Sequence, residues 1–184
     1  GIFLFAVGIN FGQTSKQDEN PQIKAQLEAA KAALEKKDFG AATTAYERAI
    51  EIDPFNHAAH SGLTQIAASQ YISRLIVDGA MITDEKVVKE LADSFKSNQE
   101  KTILRYKDLE AKYPEKAVFK VILASLNTYE PLLVKDYLEQ AYRLEPNSLP
   151  VLNALAYFEV ARGDTRKAVQ YFTKISQLQP DDEN

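Results

Sequence analysis

A phrase that occurs twice, each time ending in a proline, constrains the fold of this chain more than any other feature. Counted back from Pro54 and from Pro180, a small residue stands twelve positions earlier, an aromatic residue eight earlier and an apolar residue five earlier. These residues are Ala42, Tyr46 and Ala49 in the first copy, and Ala168, Phe172 and Ile175 in the second. Spacings of four and three put them on one face of a helix that the proline ends. We therefore predict a stack of helical hairpins, in which the Tyr46 and Phe172 rings are both buried between helices.

The two copies resemble the tetratricopeptide repeat, a pair of antiparallel helices in about 34 residues. The first copy, residues 23–56, carries the resemblance through Ala30, Asp38, Phe39, Ala42, Tyr46, Ala49, Asp53, Pro54 and Asn56. The last copy, residues 149–182, carries it through Leu155, Ala156, Gly163, Asp164, Ala168, Phe172 and Pro180. The resemblance covers nearly everything after Ile23, and it implies an all-α, right-handed α-solenoid of about four hairpins. Because many unrelated activities share one scaffold, it specifies the fold more strongly than the function.

The spacing of the closing prolines predicts that the second hairpin is elongated. Pro54, Pro114, Pro146 and Pro180 lie 60, 32 and 34 residues apart, so the first interval holds the extra residues. Apolar residues keep a helical spacing on both sides of Asp78-Gly79, with Gly79 as a predicted helix cap. Both helices should therefore be longer, and the hairpin should project by roughly 20 Å.

The turn of this elongated hairpin, residues 79–83, is a candidate binding site. Thr83 is the predicted N-cap of the second helix. Met81 and Ile82 are apolar residues at a position where polar turn residues are usual, so we expect both to be exposed and to contact another chain.

Composition excludes several classes of function. The 184 residues suit one domain, which we place at residues 23–184 behind an apolar arm and polar linker at residues 1–22. The net charge is −4 and the basic residues are dispersed, which argues against a nucleic-acid partner. The sequence has no cysteine, and it has no phosphate-binding glycine loop or nucleophile motif. We predict no cofactor, no catalytic residues and no metal site.

The first residues differ from the rest of the chain. Residues 2–7, Ile-Phe-Leu-Phe-Ala-Val, are apolar and are too few to span a bilayer, and a polar stretch follows at residues 13–22. The segment resembles the apolar region of a secretory signal whose basic start is missing. This predicts a bacterial protein that is exported to the periplasm or cell envelope. An arm that packs on the domain of a cytoplasmic protein is the alternative.

The family resemblance implies that the first helix of each hairpin lines a concave groove for a peptide. Carried over by offset, the candidate groove residues are Leu27, Lys31, Gln65, Lys116, Phe119, Leu123, Asn153 and Tyr157. Some family members hold a ligand's terminal carboxylate with lysine, asparagine and arginine. Here Lys116 matches, Lys120 replaces the arginine without its two-pronged donor group, and the asparagines are missing, so this mode of binding is not expected.

The two histidines, His57 and His60, stand three positions apart at a predicted helix start, with Asp53 nearby. A metal site would need further ligands, and packing explains His60 without chemistry.

Three hypotheses about function follow. The first is a non-enzymatic scaffold or adaptor that binds a protein or peptide in its groove or at its hairpin tip. The alternative is a structural module of the bacterial envelope that self-assembles through the N-terminal arm or through an uncapped C-terminal end. The third, an enzyme that uses its histidines, is the least favoured.

Overall fold

The computed structural model describes residues 20–179, and within this range the fold is an all-α solenoid. The helices are α1 Pro21–Glu35, α2 Phe39–Ile52, α3 His57–Leu75, α4 Glu85–Lys112, α5 Ala117–Leu126, α6 Pro131–Leu144, α7 Leu149–Ala161 and α8 Thr165–Leu178. A short ribbon of two strands, β1 Ile76–Val77 and β2 Ala80–Met81, lies between α3 and α4. Successive helices pack as four antiparallel hairpins, and each hairpin also contacts the next. We call the first helix of each hairpin its leading helix and the second its following helix.

Aspartate side chains begin three of the four following helices. The carboxylates of Asp38, Asp84 and Asp164 accept hydrogen bonds of 2.9, 3.0 and 3.1 Å from the backbone N–H three residues on. Each carboxylate satisfies an otherwise unpaired donor at the positive end of the helix dipole. The expectation that Thr83 caps α4 is therefore wrong, because the charged Asp84 next to it takes this role.

The second hairpin is longer than the others, as the proline spacing predicts. Helix α3 has 19 residues and α4 has 28, whereas α5 has 10 and α6 has 14. Where α5 ends, the Gln99 side-chain amide donates to the Leu126 carbonyl over 2.9 Å. The part of α4 before Gln99 therefore extends past the α5–α6 turn by about 20 Å, at 1.5 Å per residue. Tyr71 and Phe95 stack with ring centroids 4.9 Å apart and join the two helices of this arm.

The end of the arm differs from the prediction. Helix α3 stops at Leu75, and the chain continues as an antiparallel ribbon in which Ile76 pairs with Met81 and Val77 with Ala80. Asp78 and Gly79 both have positive φ, 51° and 78°, which suits a two-residue turn between strands. Gly79 therefore serves a β-turn and not a helix cap.

The residue eight positions before each closing proline shows how the hairpins stack. Tyr46, Tyr106 and Leu138 are 6, 2 and 2% exposed, because the next hairpin covers each of them. Phe172 is 37% exposed, so the expectation that its ring is buried between helices is wrong. Ala168 and Ile175, which pack inside the last hairpin, are buried, so only the contact with a following hairpin is missing from the described chain.

Candidate functional site

The candidate groove residues do not form one continuous surface. Lys31 on α1 and Gln65 on α3 are exposed, whereas Asn153 and Tyr157 on α7 are half-buried. Leu27 is buried in the core between α1 and α2. The Tyr157 ring meets the Phe172 ring edge to face at 5.8 Å, at the far end of the stack.

Phe119 and Leu123 belong to the core rather than to an open groove. Helices α3, α5 and α7 each begin three residues after a closing proline, at His57, Ala117 and Leu149. Counted from these starts, Gln65 and Tyr157 are the ninth residues of α3 and α7, whereas Leu123 is the seventh residue of α5, so the carried-over offset is two residues out of register in the third hairpin. Phe119 and Leu123 are 1 and 0% exposed within a cluster that joins α4 and α5. Nearly every residue of α5 is buried, which fits a helix that is apolar on all sides.

Lys116 lies at the N-terminus of α5, beside a small cleft. Its Nζ stands 4.5 Å from the centre of the Phe55 ring, which attracts the cation. Lys116 cannot cap the helix, and the carboxylate of Glu145 accepts a 3.3 Å hydrogen bond from the Ala117 N–H instead. The cleft is lined by Phe55, His57, Lys116, Val118, Glu145, Ser148, Pro150 and Val151. Both charged groups at its mouth thus have intramolecular contacts, and the Glu145 carboxylate stabilises the start of α5.

Lys120 is held inside the protein and cannot bind a ligand carboxylate at the surface. Its ammonium group donates to a Glu110 carboxylate oxygen and, over 3.0 Å, to the Gln140 amide oxygen. Only 8% of the Lys120 side chain is exposed. Through these two contacts Lys120 links α5 to α4 and to α6. The sequence did not predict these contacts, because no local pattern relates residues on three different helices.

The two histidines are buried parts of the packing between α3, α4 and α5. His60 Nε2 lies 2.9 Å from the Pro54 carbonyl, which can only accept, so this nitrogen carries the hydrogen. Nδ1 can then accept from the Tyr106 hydroxyl, 3.1 Å away. Burial lowers the pKa of His60, and burial together with the nearby His60 lowers the pKa of His57 to about 3. Both rings are neutral at pH 7. The contacts of His60 support a role in packing, as the sequence suggested.

The ribbon at the end of the arm is the most exposed apolar site that the sequence singled out. Met81 is 68% exposed, as expected, and Ile76 and Val77 are exposed beside it. Ile82 is half-buried, so it is less exposed than expected. Its N–H donates to the Leu75 carbonyl over 2.8 Å, which closes the base of the ribbon. Each strand pairs with the other along one edge only, so the outer edges keep backbone groups available to another strand.

Among residues 20–179, no group of three or more histidine, aspartate or glutamate side chains is arranged to hold a metal ion. None of the helices in this range has the length and apolar character needed to cross a membrane.

Comparison with known proteins agrees with this geometry. The sequence model of the tetratricopeptide repeat matches residues 23–56, which hold most of α1, all of α2 and the residue that caps α3, Asn56. The first hairpin is thus similar to a tetratricopeptide repeat. A thermophilic tetratricopeptide repeat protein of Thermus thermophilus is similar in structure, with a TM-score of 0.55 and 20% identity over 90% of this chain and 78% of that one.

PilF of Pseudomonas aeruginosa is similar over 85% of this chain and 76% of that one, with 18% identity and a TM-score of 0.39. No curated protein matches the sequence. The matched repeat and the Thermus thermophilus structure both agree with a fold made of stacked helical hairpins.

Proposed function

We propose that the protein is a non-enzymatic scaffold that binds an extended apolar segment of another polypeptide at the ribbon on the end of its α3–α4 arm. The observation that carries this proposal is the ribbon β1–β2, whose side chains Ile76, Val77 and Met81 are exposed at the far end of a projecting pair of helices. A turn that only connected two helices would need no apolar side chains in water.

The backbone of the ribbon suggests how the partner binds. A partner segment in extended conformation can pair with the outer edge of either strand, and its apolar side chains can cover Val77 or Met81. Main-chain hydrogen bonds would supply affinity, and the apolar side chains would supply specificity. The arm keeps this edge about 20 Å away from the body of the solenoid, where a partner can reach it without a clash.

To test this proposal, the full chain and its variants are used to capture binding partners from the native host. The purified partner is then titrated against each variant. Met81→Glu combined with Val77→Lys should remove a specific partner, because both charges would have to be buried. Leu104→Glu is the matched control, since Leu104 is 63% exposed on α4 but follows Gln99, where α4 joins the body of the solenoid. A partner that is lost from the tip variant and kept by the control supports the proposal.

A variant of the predicted groove tests the alternative binding surface. Lys31 and Gln65 remain exposed there, so Lys31→Glu with Gln65→Arg changes the groove without touching the arm. If this variant loses the partner while the tip variant binds it normally, the groove and not the tip is the binding surface.

Export to the bacterial envelope is a separate proposal, which rests on the sequence of residues 2–7. This segment lies outside the described residues. Fractionation of the native host tests it, with recovery in the periplasm expected and recovery in the cytoplasm contrary to it.

A further inference from the structure

The hydrogen bonds of the ribbon show which backbone groups face outward. Ile82 N–H donates to the Leu75 carbonyl over 2.8 Å, and the next pair along the ribbon is Ile76 with Met81. Hydrogen-bonded and non-hydrogen-bonded pairs alternate along an antiparallel ribbon, so Ile76 and Met81 form a non-hydrogen-bonded pair. The backbone N–H and C=O groups of these two residues therefore point away from each other, toward the two outer edges.

The outer edge of β1 is partly occupied by the protein itself. Helix α3 runs into β1 without a loop, because it ends at Leu75 and β1 begins at Ile76. The Ile76 N–H donates to the Ile72 carbonyl and completes the last turn of this helix. A partner strand beside β1 could therefore bond to the carbonyl of Ile76 but not to its N–H.

The outer edge of β2 suits a further strand better. Met81 has both its N–H and its C=O on this edge, where they can exchange two hydrogen bonds with one residue of a partner. Residues 82–84 separate β2 from α4, and Asp84 is extended, with φ −65° and ψ 112°. A partner strand thus has room to continue past Met81 before it meets a helix.

The charges beside β2 are all negative. Between Ile76 and Glu85 the chain has three carboxylates, on Asp78, Asp84 and Glu85, and it has no lysine or arginine. All three residues are exposed, and none of them forms an ion pair within residues 20–179, although Asp84 uses one oxygen to cap α4. Asp78 stands three positions before Met81, and Asp84 stands three positions after it.

We propose that the partner strand adds to the outer edge of β2, and that it is an apolar segment with a lysine or arginine three positions to either side of its central residue. The central residue exchanges hydrogen bonds with Met81 and places its side chain beside that of Met81, which is 68% exposed. The flanking cations then lie near Asp78 and Asp84, whether the strand runs antiparallel or parallel. This inference rests on the proposed function, and it specifies the edge that binds and the charge of the partner.

Two synthetic heptapeptides that differ only in charge test the chemistry of the partner. Both have blocked ends, valine at the second, fourth and sixth positions, and threonine at the third and fifth. One has lysine at its first and last positions, and the other has glutamate there. In titrations of the full chain, the lysine peptide should bind at least about tenfold more tightly than the glutamate peptide, and added salt should reduce the difference.

Variants of the full chain show whether the charges beside β2 cause this preference. Asp78→Asn with Glu85→Gln removes two of them, and asparagine also suits the positive φ of 51° at Asp78. This variant should lose most of the preference for the lysine peptide. Glu100→Gln with Asp108→Asn is the matched control, because it removes two exposed charges from α4 beyond the arm, and it should keep the preference.

NMR of the complex with the lysine peptide identifies the edge. Amide exchange at Met81 should slow by at least about tenfold, and nuclear Overhauser contacts should join the central valine to Met81. Equal binding of the two peptides, or contacts of the peptide with Ile76 instead of Met81, would overturn this inference while an apolar strand still bound the ribbon, as the proposed function requires. Binding of neither peptide would also overturn it. Capture of a native partner with the Met81→Glu and Val77→Lys variant decides the proposed function separately.

Discussion

The ring of Tyr46 lies directly against the backbone of Gly62, so closely that a Cβ atom at Gly62 would overlap the ring. Tyr46 belongs to the first hairpin and Gly62 to the leading helix of the second. The pair therefore sets how near the two hairpins approach each other. Glycine in the middle of a helix is unfavourable by itself, and here the close contact with the aromatic ring explains it.

Replacing Gly62 with alanine should destabilise the protein. Alanine would normally stabilise a helix interior by about 1 kcal/mol relative to glycine, but the overlap with Tyr46 should cost more, for a net loss of about 2 kcal/mol. Chemical denaturation of the variant gives the change in free energy of unfolding directly.

Gly40→Ala is the matched control. Its added Cβ would meet only the Asp38 carboxylate, at 3.6 Å, which is an ordinary contact. It should be neutral or slightly stabilising. Equal effects of the two glycine substitutions would contradict the account of the Tyr46–Gly62 contact.

Tyr46 and Phe172 hold the same place in their repeats, yet alanine should affect them differently. Tyr46→Ala should cost about 3–5 kcal/mol because the ring is buried by the next hairpin. Phe172→Ala should cost no more than about 2 kcal/mol, since much of its ring is already in water. Denaturation is measured at low protein concentration, where association cannot bury Phe172. Equal losses would mean that the Phe172 ring is buried within a single chain.

The buried histidines should make the protein less stable in mild acid. The pKa of His57 is about 3 in the folded protein against an ordinary value of 6.5, so the unfolded chain binds the proton first as the pH falls. The stabilisation is complete above about pH 6.5 and decreases as the pH falls toward 3, by roughly 1 kcal/mol per pH unit for one proton. His60 acts in the same direction, because its pKa is also lowered. Burial and the nearby Arg105 lower this pKa, and they outweigh the Pro54 carbonyl and Asp53, which raise it.

Unfolding free energies between pH 7 and 5 test this, because most carboxylates titrate lower. Nitrogen NMR of the His60 ring should also show hydrogen on Nε2 and none on Nδ1. A flat stability profile in this window would contradict the neutral buried state of both histidines.

The ion pair between Lys120 and Glu110 should respond unequally to removal of its two partners. Glu110→Ala leaves the buried ammonium group with Gln140 alone and should cost about 3 kcal/mol. Lys120→Met replaces the ammonium group with an apolar chain and leaves the partly exposed Glu110 close to water, so its cost should be much smaller. If thermal denaturation showed Lys120→Met to be the worse substitution, the ion pair would be a net source of stability.

The repeat pattern was sufficient to predict the all-α solenoid and its long second hairpin. Proline and small or aromatic residues act locally, on one helix and its neighbour, so their spacing can be read along the chain. The same logic failed at residues 76–81, where the Asp78-Gly79 turn and the flanking Ile76 and Val77 favour strands over helix ends.

The candidate site was harder to predict from sequence than the fold. Phe119 and Leu123 come to the predicted groove only by the family's offset, and the third hairpin has no counterpart of Asn56, the asparagine that caps α3. Lys116 takes that place, and the cap comes from Glu145, which is 28 residues away in sequence. The exposure of Phe172 depends on whether another hairpin covers the last one. The position of the residue within its own repeat therefore does not predict its burial.

The most direct test of binding at the arm is amide hydrogen exchange across residues 74–83, measured with and without the purified partner. Addition of a strand to the ribbon would give new hydrogen bonds to its outer edge, so exchange at Ile76–Val77 or at Ala80–Met81 should slow by at least about tenfold. The amides of α1 and α3 near Lys31 and Gln65 should keep their rates. Unchanged exchange throughout the ribbon, together with protection along α1 and α3, would contradict the proposed role of the arm.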